Sequence, residues 1–113
     1  HKVKCWLVNT GWTGGPYGVG KRISIRHTRA ILNAALEGGL DGADYYTDPV
    51  FGFEVPKKCA GVPDGAFNPA GSWGDRKLYI SRYRQLGALF VENFKKFKNN
   101  CPPEVAAAGP KPL

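Results

Sequence analysis

The sequence predicts a mixed α/β fold with a long helix near its C-terminal end, and three observations support this prediction. The chain opens with a β-branched and aromatic run, continues through a glycine-rich loop, and carries a helical repeat of apolar residues after residue 75. Its 113 residues are 42% hydrophobic and 22% charged, which is typical of one globular domain. Uninterrupted apolar runs reach only a few residues, so we expect neither a transmembrane helix nor a membrane partner.

The first third of the chain is predicted to alternate between strands and loops before its first helix. Residues 3–8 are β-branched or aromatic and predict a buried strand. Residues 11–20, the glycine loop, hold six Gly or Pro in ten positions, so their backbone can approach a ligand closely. Residues 22–26 alternate with period two and predict a short strand. Thr28 is then predicted to cap a helix that ends at Gly38.

Four prolines interrupt residues 40–74 and exclude a long element there, although residues 50–55 are apolar enough for an edge strand. From about residue 75 to 99, apolar side chains recur at spacings of three and four. This spacing predicts one face of a long helix, formed by Tyr79, Tyr83, Leu86, Phe90, Phe94 and Phe97. Pro102 and Pro103 are predicted to end that helix, and the tail from Glu104 to be loosely docked.

The positive charge of the chain is concentrated at its beginning. The formal net charge is +7, and residues 1–30 contain six cations and no acid. Such a stretch attracts phosphates, nucleotides or nucleic acid. A free-standing basic module that binds nucleic acid is therefore an alternative function, with Trp12 and Tyr17 as stacking groups. Against it, cations and aromatic residues do not interleave along a strand surface as RNA recognition requires.

One motif in the glycine loop comes close to a phosphate-binding P-loop. Gly15 and Gly20-Lys21 have the spacing of that motif and follow a predicted strand. The motif requires Ser or Thr at the next position to bind magnesium, and Arg22 stands there instead. A P-loop also opens directly into a helix, whereas a strand is predicted here. Both departures argue against a P-loop.

The segment of residues 21–29 is the strongest local candidate for a ligand site. Arg22 offers a planar guanidinium that can stack on a base, and Ile23 offers an apolar wall and backbone hydrogen bonds. Thr28 is suited either to bond a ligand or to cap its own helix. The alternative is an exposed basic strand, and the residues alone leave both interpretations open. His27 has no acid near it in the first 36 residues, which favours a surface or helix-start histidine over an acid–base catalyst.

The remaining residue types give no catalytic or metal constellation. Cys5, Cys59 and Cys101 form neither a disulfide framework nor a zinc motif, which favours a reducing, cytoplasmic compartment, and Cys5 is expected in the core. We therefore predict no catalytic residue and no metal ligand. The residues alone describe a basic α/β segment that can bind a nucleotide without turning it over.

Several blocks, in this order along the chain, resemble the ATP-dependent phosphoenolpyruvate carboxykinase family. They run from LVNTGWTGGPYGVGKRISIRHTRA, residues 7–30, through DPVFGFEVP, residues 48–56, and GVPD, residues 61–64. FVENFKKF, residues 90–97, and AAGP, residues 107–110, complete the resemblance. It implies that residues 1–113 are a C-terminal segment of the nucleotide-binding domain. The absence of methionine agrees with a piece of a longer chain.

The resemblance also implies an activity for the whole enzyme, the conversion of oxaloacetate and ATP into phosphoenolpyruvate, carbon dioxide and ADP in gluconeogenesis. It implies Mg²⁺ and Mn²⁺ as cofactors and a C-terminal mononucleotide-binding lobe in which Arg22, Ile23 and Thr28 form the adenine pocket. The phosphate loop, the metal ligands and the oxaloacetate-binding arginines are then expected upstream of this segment. We therefore expect the isolated chain to be inactive, with the remainder of the enzyme, ATP or ADP as partners and no nucleic acid.

Overall fold

The computed structural model describes residues 2–111, which divide into two compact units. One unit comprises residues 2–45 and 56–74, and the other residues 46–55 and 75–111. The strands within this range are short: β1 (Trp12–Thr13), β2 (Lys21–Arg22), β3 (Tyr45–Thr47) and β4 (Glu54–Pro56). The helices are α1 (Ile25–Leu36), α2 (Pro69–Ser72), α3 (Arg76–Phe94) and α4 (Pro103–Ala107), with 3-10 turns at Asp64–Phe67 and Lys98–Asn100. The predicted mixed α/β class is confirmed, and the assignment to a nucleotide-binding lobe stays a prediction.

The strands form two separate two-stranded sheets, β1 with β2 and β3 with β4. Strands β1 and β2 are antiparallel, with Trp12 opposite Arg22 and Thr13 opposite Lys21. Among the described helices, none is both long and apolar enough to cross a membrane.

The core of the first unit lies where helix α1 meets the turns around residues 40 and 60. Leu40, Cys59 and Val62 are buried there, Leu40 with only 3% of its surface exposed. The helix contributes mostly small side chains to this contact, among them Ala30 and Ala34. Small residues let backbone segments approach each other closely. Helix α1 therefore packs at short range against the two turns.

Helix α1 begins earlier than the sequence predicted. Ser24 is its N-cap, and the Ser24 Oγ accepts a hydrogen bond from the backbone N–H of His27 at 3.2 Å. The prediction that Thr28 caps the helix is therefore wrong, because Thr28 already lies in the first turn. Since Ile25 is the first helical residue, the strand predicted for residues 22–26 is also wrong beyond Arg22.

The opening segment departs most from the prediction. Residues 2–10 form no strand, and Cys5, expected in the core, is exposed. A strand needs a hydrogen-bonded neighbour, and none of the described strands pairs with this segment. Its one ion pair joins Lys4 Nζ to Asp41 Oδ1 at 2.6 Å on the surface.

The second unit is organised around the contact between helix α3 and residues 48–53. Asp75 caps the helix by accepting a hydrogen bond from the Leu78 N–H at 3.0 Å. The Phe51 ring lies 5.8 Å from the Tyr83 ring and 5.5 Å from the Phe90 ring. The predicted aromatic face of α3 therefore packs as expected at these two positions.

The boundaries in the second unit differ from the sequence prediction in three places. Helix α3 ends at Phe94 rather than near residue 99, and Pro103 begins helix α4. The strand predicted for residues 50–55 is reduced to β4, because Phe51 and Gly52 form a turn with Gly52 at φ +69°. The tail is tied to its own unit, since the Lys111 N–H donates to the Val50 carbonyl at 2.8 Å.

Candidate functional site

The first unit contains a cavity of about 510 Å³, and three stretches of the chain form its wall. The glycine loop and β2 contribute Thr13, Gly14, Val19, Gly20, Lys21 and Arg22. The entrance of helix α1 contributes Ile23, Ser24 and His27. Pro63, Gly65, Ala66 and Ser72 form the remaining wall. The cavity thus joins the basic segment of the sequence to a turn about forty residues further along.

Backbone hydrogen bonds hold the glycine loop at the cavity. The Pro16 carbonyl accepts from the N–H groups of Val19 and Gly20 at 3.0 and 2.9 Å. The Ile23 N–H donates to the Gly11 carbonyl at 3.0 Å, which extends the pairing of β1 with β2. These bonds close the loop on itself and fix the course of β2 along the wall.

Gly20 is the tightest point of the loop. A Cβ atom at this position would lie 2.5 Å from the Gly15 carbonyl oxygen and 2.8 Å from that of Thr13. Both neighbours are backbone atoms, so no rotation of a side chain would relieve the contact. Glycine is required here by close backbone approach. Lys21 and Arg22, which follow Gly20 directly, also line the cavity.

The structure brings two of the three predicted adenine contacts to the cavity. Arg22 and Ile23 line it, Arg22 exposed and Ile23 half-buried. Thr28 is half-buried and does not line the wall; its Oγ1 donates to the Ser24 carbonyl at 3.1 Å. The Thr28 N–H donates to that same carbonyl at 3.0 Å. Thr28 therefore stabilises the turn that presents Ser24 and His27.

The charged and titratable side chains of the wall are all basic. Lys21, Arg22 and His27 line the cavity, and no carboxylate is among the residues that form it. The N-terminal end of helix α1, at Ser24 and Ile25, adds the positive end of the helix dipole. This arrangement attracts an anionic ligand.

Several wall residues were not assigned a binding role from the sequence, although two of them, Ser24 and His27, lie in the predicted ligand-binding segment of residues 21–29. Ser24 carries a signal that was available, because it directly precedes the first apolar residue of the helix. His27 was interpreted as a surface or helix-start residue, and only the structure places it in the wall. The four residues of the far wall carry no motif that would have linked them to the glycine loop.

Two further kinds of residue bear on the chemistry of the chain, clusters of metal-ligand types and tyrosines with a raised pKa. No group of three or more His, Cys, Asp or Glu side chains among the described residues could hold a metal ion. Tyr46, Tyr79 and Tyr83 have a raised pKa; they belong to the second unit, and none of them lines the cavity. Burial is the main cause of the raised pKa of Tyr83, and the hydrogen bond that its hydroxyl donates to the Asp48 carboxylate raises the pKa further.

The part of the sequence that forms the glycine loop, β2 and helix α1 is also the part with a family match. Residues 1–65 match the family model described as phosphoenolpyruvate carboxykinase. The chain belongs to the phosphoenolpyruvate carboxykinase family. Nine of the thirteen cavity-lining residues precede residue 28, well inside the matched range.

Curated relatives extend the similarity to almost the whole chain. A Parvibaculum lavamentivorans protein named phosphoenolpyruvate carboxykinase (ATP) is 51% identical over 110 residues, 97% of this chain and 20% of that protein. A Thermus thermophilus protein of the same name is 51% identical over 111 residues, 98% of this chain and 21% of that one. A Dictyostelium discoideum carboxykinase (ATP) is 47% identical over 110 residues, again 97% and 20%. The chain thus spans about a fifth of the length of the carboxykinases it matches.

Proposed function

We propose that this chain is the C-terminal, adenine-binding part of an ATP-dependent phosphoenolpyruvate carboxykinase. One observation carries the proposal: the cavity in the family-matched range is lined by Arg22 and Ile23, two of the residues that the family resemblance assigns to adenine. In the intact enzyme the reaction would convert oxaloacetate and ATP into phosphoenolpyruvate, carbon dioxide and ADP.

The size and lining of the cavity support an adenine ligand. A sphere of 510 Å³ is about 10 Å across, enough for a purine with its ribose. The Arg22 guanidinium is planar and suited to stack on a purine, while Ile23, Pro63 and Ala66 offer apolar contact. The triphosphate would extend from the cavity toward residues outside this segment.

In this proposal Thr28 has two roles: it stabilises the first turn of helix α1, and it offers a hydrogen-bond acceptor to the base. Its hydroxyl already donates to the Ser24 carbonyl, so its two acceptor lone pairs remain available to an amino group such as that of adenine. The residue would bind the base only if the ligand reaches past Ser24. Substitution of Thr28 therefore tests how deep the base sits.

The chemical step would depend on parts of the enzyme outside this chain. Phosphoryl transfer relies on positioning and on neutralising charge. The family resemblance assigns the Mg²⁺ and Mn²⁺ ligands, the phosphate loop and the oxaloacetate site to the remainder of the protein. The three free cysteines support a cytoplasmic enzyme.

The test is Arg22→Ala in the full-length carboxykinase that contains this segment. We expect the KM for ATP to rise about tenfold, as the loss of roughly 1.4 kcal/mol of binding energy requires, while the KM for oxaloacetate stays the same. The matched control is Arg84→Ala, which removes an exposed arginine of helix α3 in the second unit. The control is expected to change neither constant.

An equal rise in both KM values for Arg22→Ala would contradict the assignment of the cavity to adenine. Binding of the protein to single-stranded RNA with a steep salt dependence, and no preference for ATP, would favour the nucleic-acid-binding alternative instead. Adenine recognition is expected to vary much less with salt, because base stacking and apolar contact carry it.

A further inference from the structure

Val19 is an apolar residue of the cavity wall that the proposed adenine contacts leave unassigned. It belongs to the glycine loop, and 72% of its surface is exposed although it lines the cavity. Ile23 and Ala66, two further apolar residues of the lining, are half-buried. Covering an exposed apolar side chain with an apolar part of a ligand is favourable. Val19 therefore offers a ligand more uncovered apolar surface than Ile23 or Ala66 does.

The loop holds Val19 in a fixed position at the cavity. Its backbone N–H donates to the Pro16 carbonyl at 3.0 Å. Its side chain occupies the space that Gly15 leaves, because a Cβ atom on Gly15 would lie 3.0 Å from the Val19 Cγ1 and 3.2 Å from the Val19 Cβ. Gly20, the next residue, is packed against the Gly15 carbonyl. A side chain that is already fixed loses little conformational freedom when it binds a ligand.

The other apolar residues of the lining favour an uncharged, planar group beside Val19. They come from separate stretches of the chain: Ile23 from the entrance of helix α1, and Pro63 and Ala66 from the far wall. Phosphate groups pair with cations and gain nothing from apolar contact, whereas ligand rings are bound mainly by apolar side chains. The base of a nucleotide is thus the part that Val19 is suited to contact.

We propose that Val19 contacts the purine base at the exposed side of the cavity and is a further specificity residue of the nucleotide site. This inference rests on the nucleotide site proposed above. Val19→Ala removes two methyl groups, and their complete burial would change the affinity about fifteenfold. Because Val19 lies at the exposed side, we expect a ligand to cover about half of that surface, which corresponds to about a fourfold change.

The experiment measures the Kd for ADP and for pyrophosphate, with magnesium held constant, in the full-length carboxykinase that contains this segment. Pyrophosphate carries the two phosphates of ADP without the base, so the ratio of the two Kd values isolates the base contact. Val19→Ala removes apolar surface, and Val19→Ile keeps it. The matched control is Val105→Ala, which shortens an exposed valine of helix α4 in the second unit.

We expect Val19→Ala to raise the Kd for ADP about fourfold and to leave the Kd for pyrophosphate unchanged. Val19→Ile is expected to bind ADP within about twofold of the unmodified protein, and Val105→Ala to change neither value.

An unchanged Kd for ADP in Val19→Ala would overturn the role of Val19 and leave the nucleotide site intact. Equal weakening of ADP and pyrophosphate would also overturn it, because the loop and not the base contact would then be disturbed. The same holds if Val19→Ile loses as much affinity for ADP as Val19→Ala does. Absence of ADP binding to the unmodified protein would overturn both the role of Val19 and the nucleotide site.

Discussion

Replacing Gly20 by alanine tests whether the glycine loop forms the cavity wall through close backbone contact. The added methyl group would lie 2.5 Å from the Gly15 carbonyl oxygen, a distance that real Cβ atoms essentially never show. Reaching even 3.0 Å requires the two segments to separate by about 0.5 Å. Because the Gly20 N–H is bonded to the Pro16 carbonyl, that movement also strains the closing bond of the loop.

The energetic cost follows from two opposing effects. An overpacked contact costs typically about 1–3 kcal/mol. The reduced freedom of the unfolded chain returns about 0.4–1 kcal/mol, because the Gly20 φ angle is not in the left-handed region. We therefore expect the loop to be less stable by about 1–2 kcal/mol, which corresponds to roughly tenfold faster opening.

The assay is amide hydrogen exchange of the peptide covering residues 14–23 in the full-length protein, together with the KM for ATP. Gly20→Ala is expected to raise the exchange rate about tenfold and the KM for ATP severalfold. Gly74→Ala is the matched control, since a Cβ atom there meets nothing within 4 Å and its φ angle is not positive. The control is expected to leave both readings unchanged.

Unchanged exchange in Gly20→Ala would refute the close approach of the loop segments. Faster exchange with an unchanged KM for ATP would refute the step from loop geometry to nucleotide binding, because a displaced β2 would then have no effect on the ligand. The two readings therefore separate the structural argument from the functional one.

Three further predictions concern stability. Ser24→Ala removes the N-cap of helix α1 and is expected to cost about 1 kcal/mol in the free energy of unfolding, more than Thr28→Ala does, as paired chemical denaturation curves would show. Val50→Ala, at a side chain only 2% exposed, is expected to cost about 1–3 kcal/mol in the same measurement, and a cost near zero would contradict its burial. Burial and the bond to Asp48 raise the pKa of Tyr83 above 10, so stability is expected to be full below pH 10 and to fall as the pH rises further. Denaturation at pH 8 and pH 11 should show a smaller fall for Tyr83→Phe, and an equal fall would exclude Tyr83 as a source.

The sequence predicted the long helix and one of its packed faces well, because regular spacing is a local signal. Tyr83 and Phe90 were placed on the core face from their spacing alone, and both contact Phe51 in the structure. Helix length was overestimated, because the apolar spacing continues to Phe97 while the backbone leaves the helix after Phe94. Side-chain periodicity thus predicts which face packs more reliably than where a helix ends.

The predicted strand at residues 3–8 failed for a reason that lies outside local sequence. A β-branched run favours extended backbone, but a strand exists only when another strand accepts its hydrogen bonds. The described residues supply no such neighbour to this segment, and Val3 and Leu7 are 70% and 79% exposed.

The candidate site shows the same division between local and distant information. Arg22 and Ile23 could be singled out because charge, stacking capacity and the preceding glycine loop are adjacent in sequence. The wall formed by Pro63 and Ala66 depends on the packing of helix α1 against Val62, which no motif records. His27 belonged to the predicted ligand-binding segment of residues 21–29, but only the structure places it in the wall of a cavity whose lining holds no carboxylate. The site therefore combines one wall that adjacent residues announce in the sequence with another that only the tertiary packing supplies.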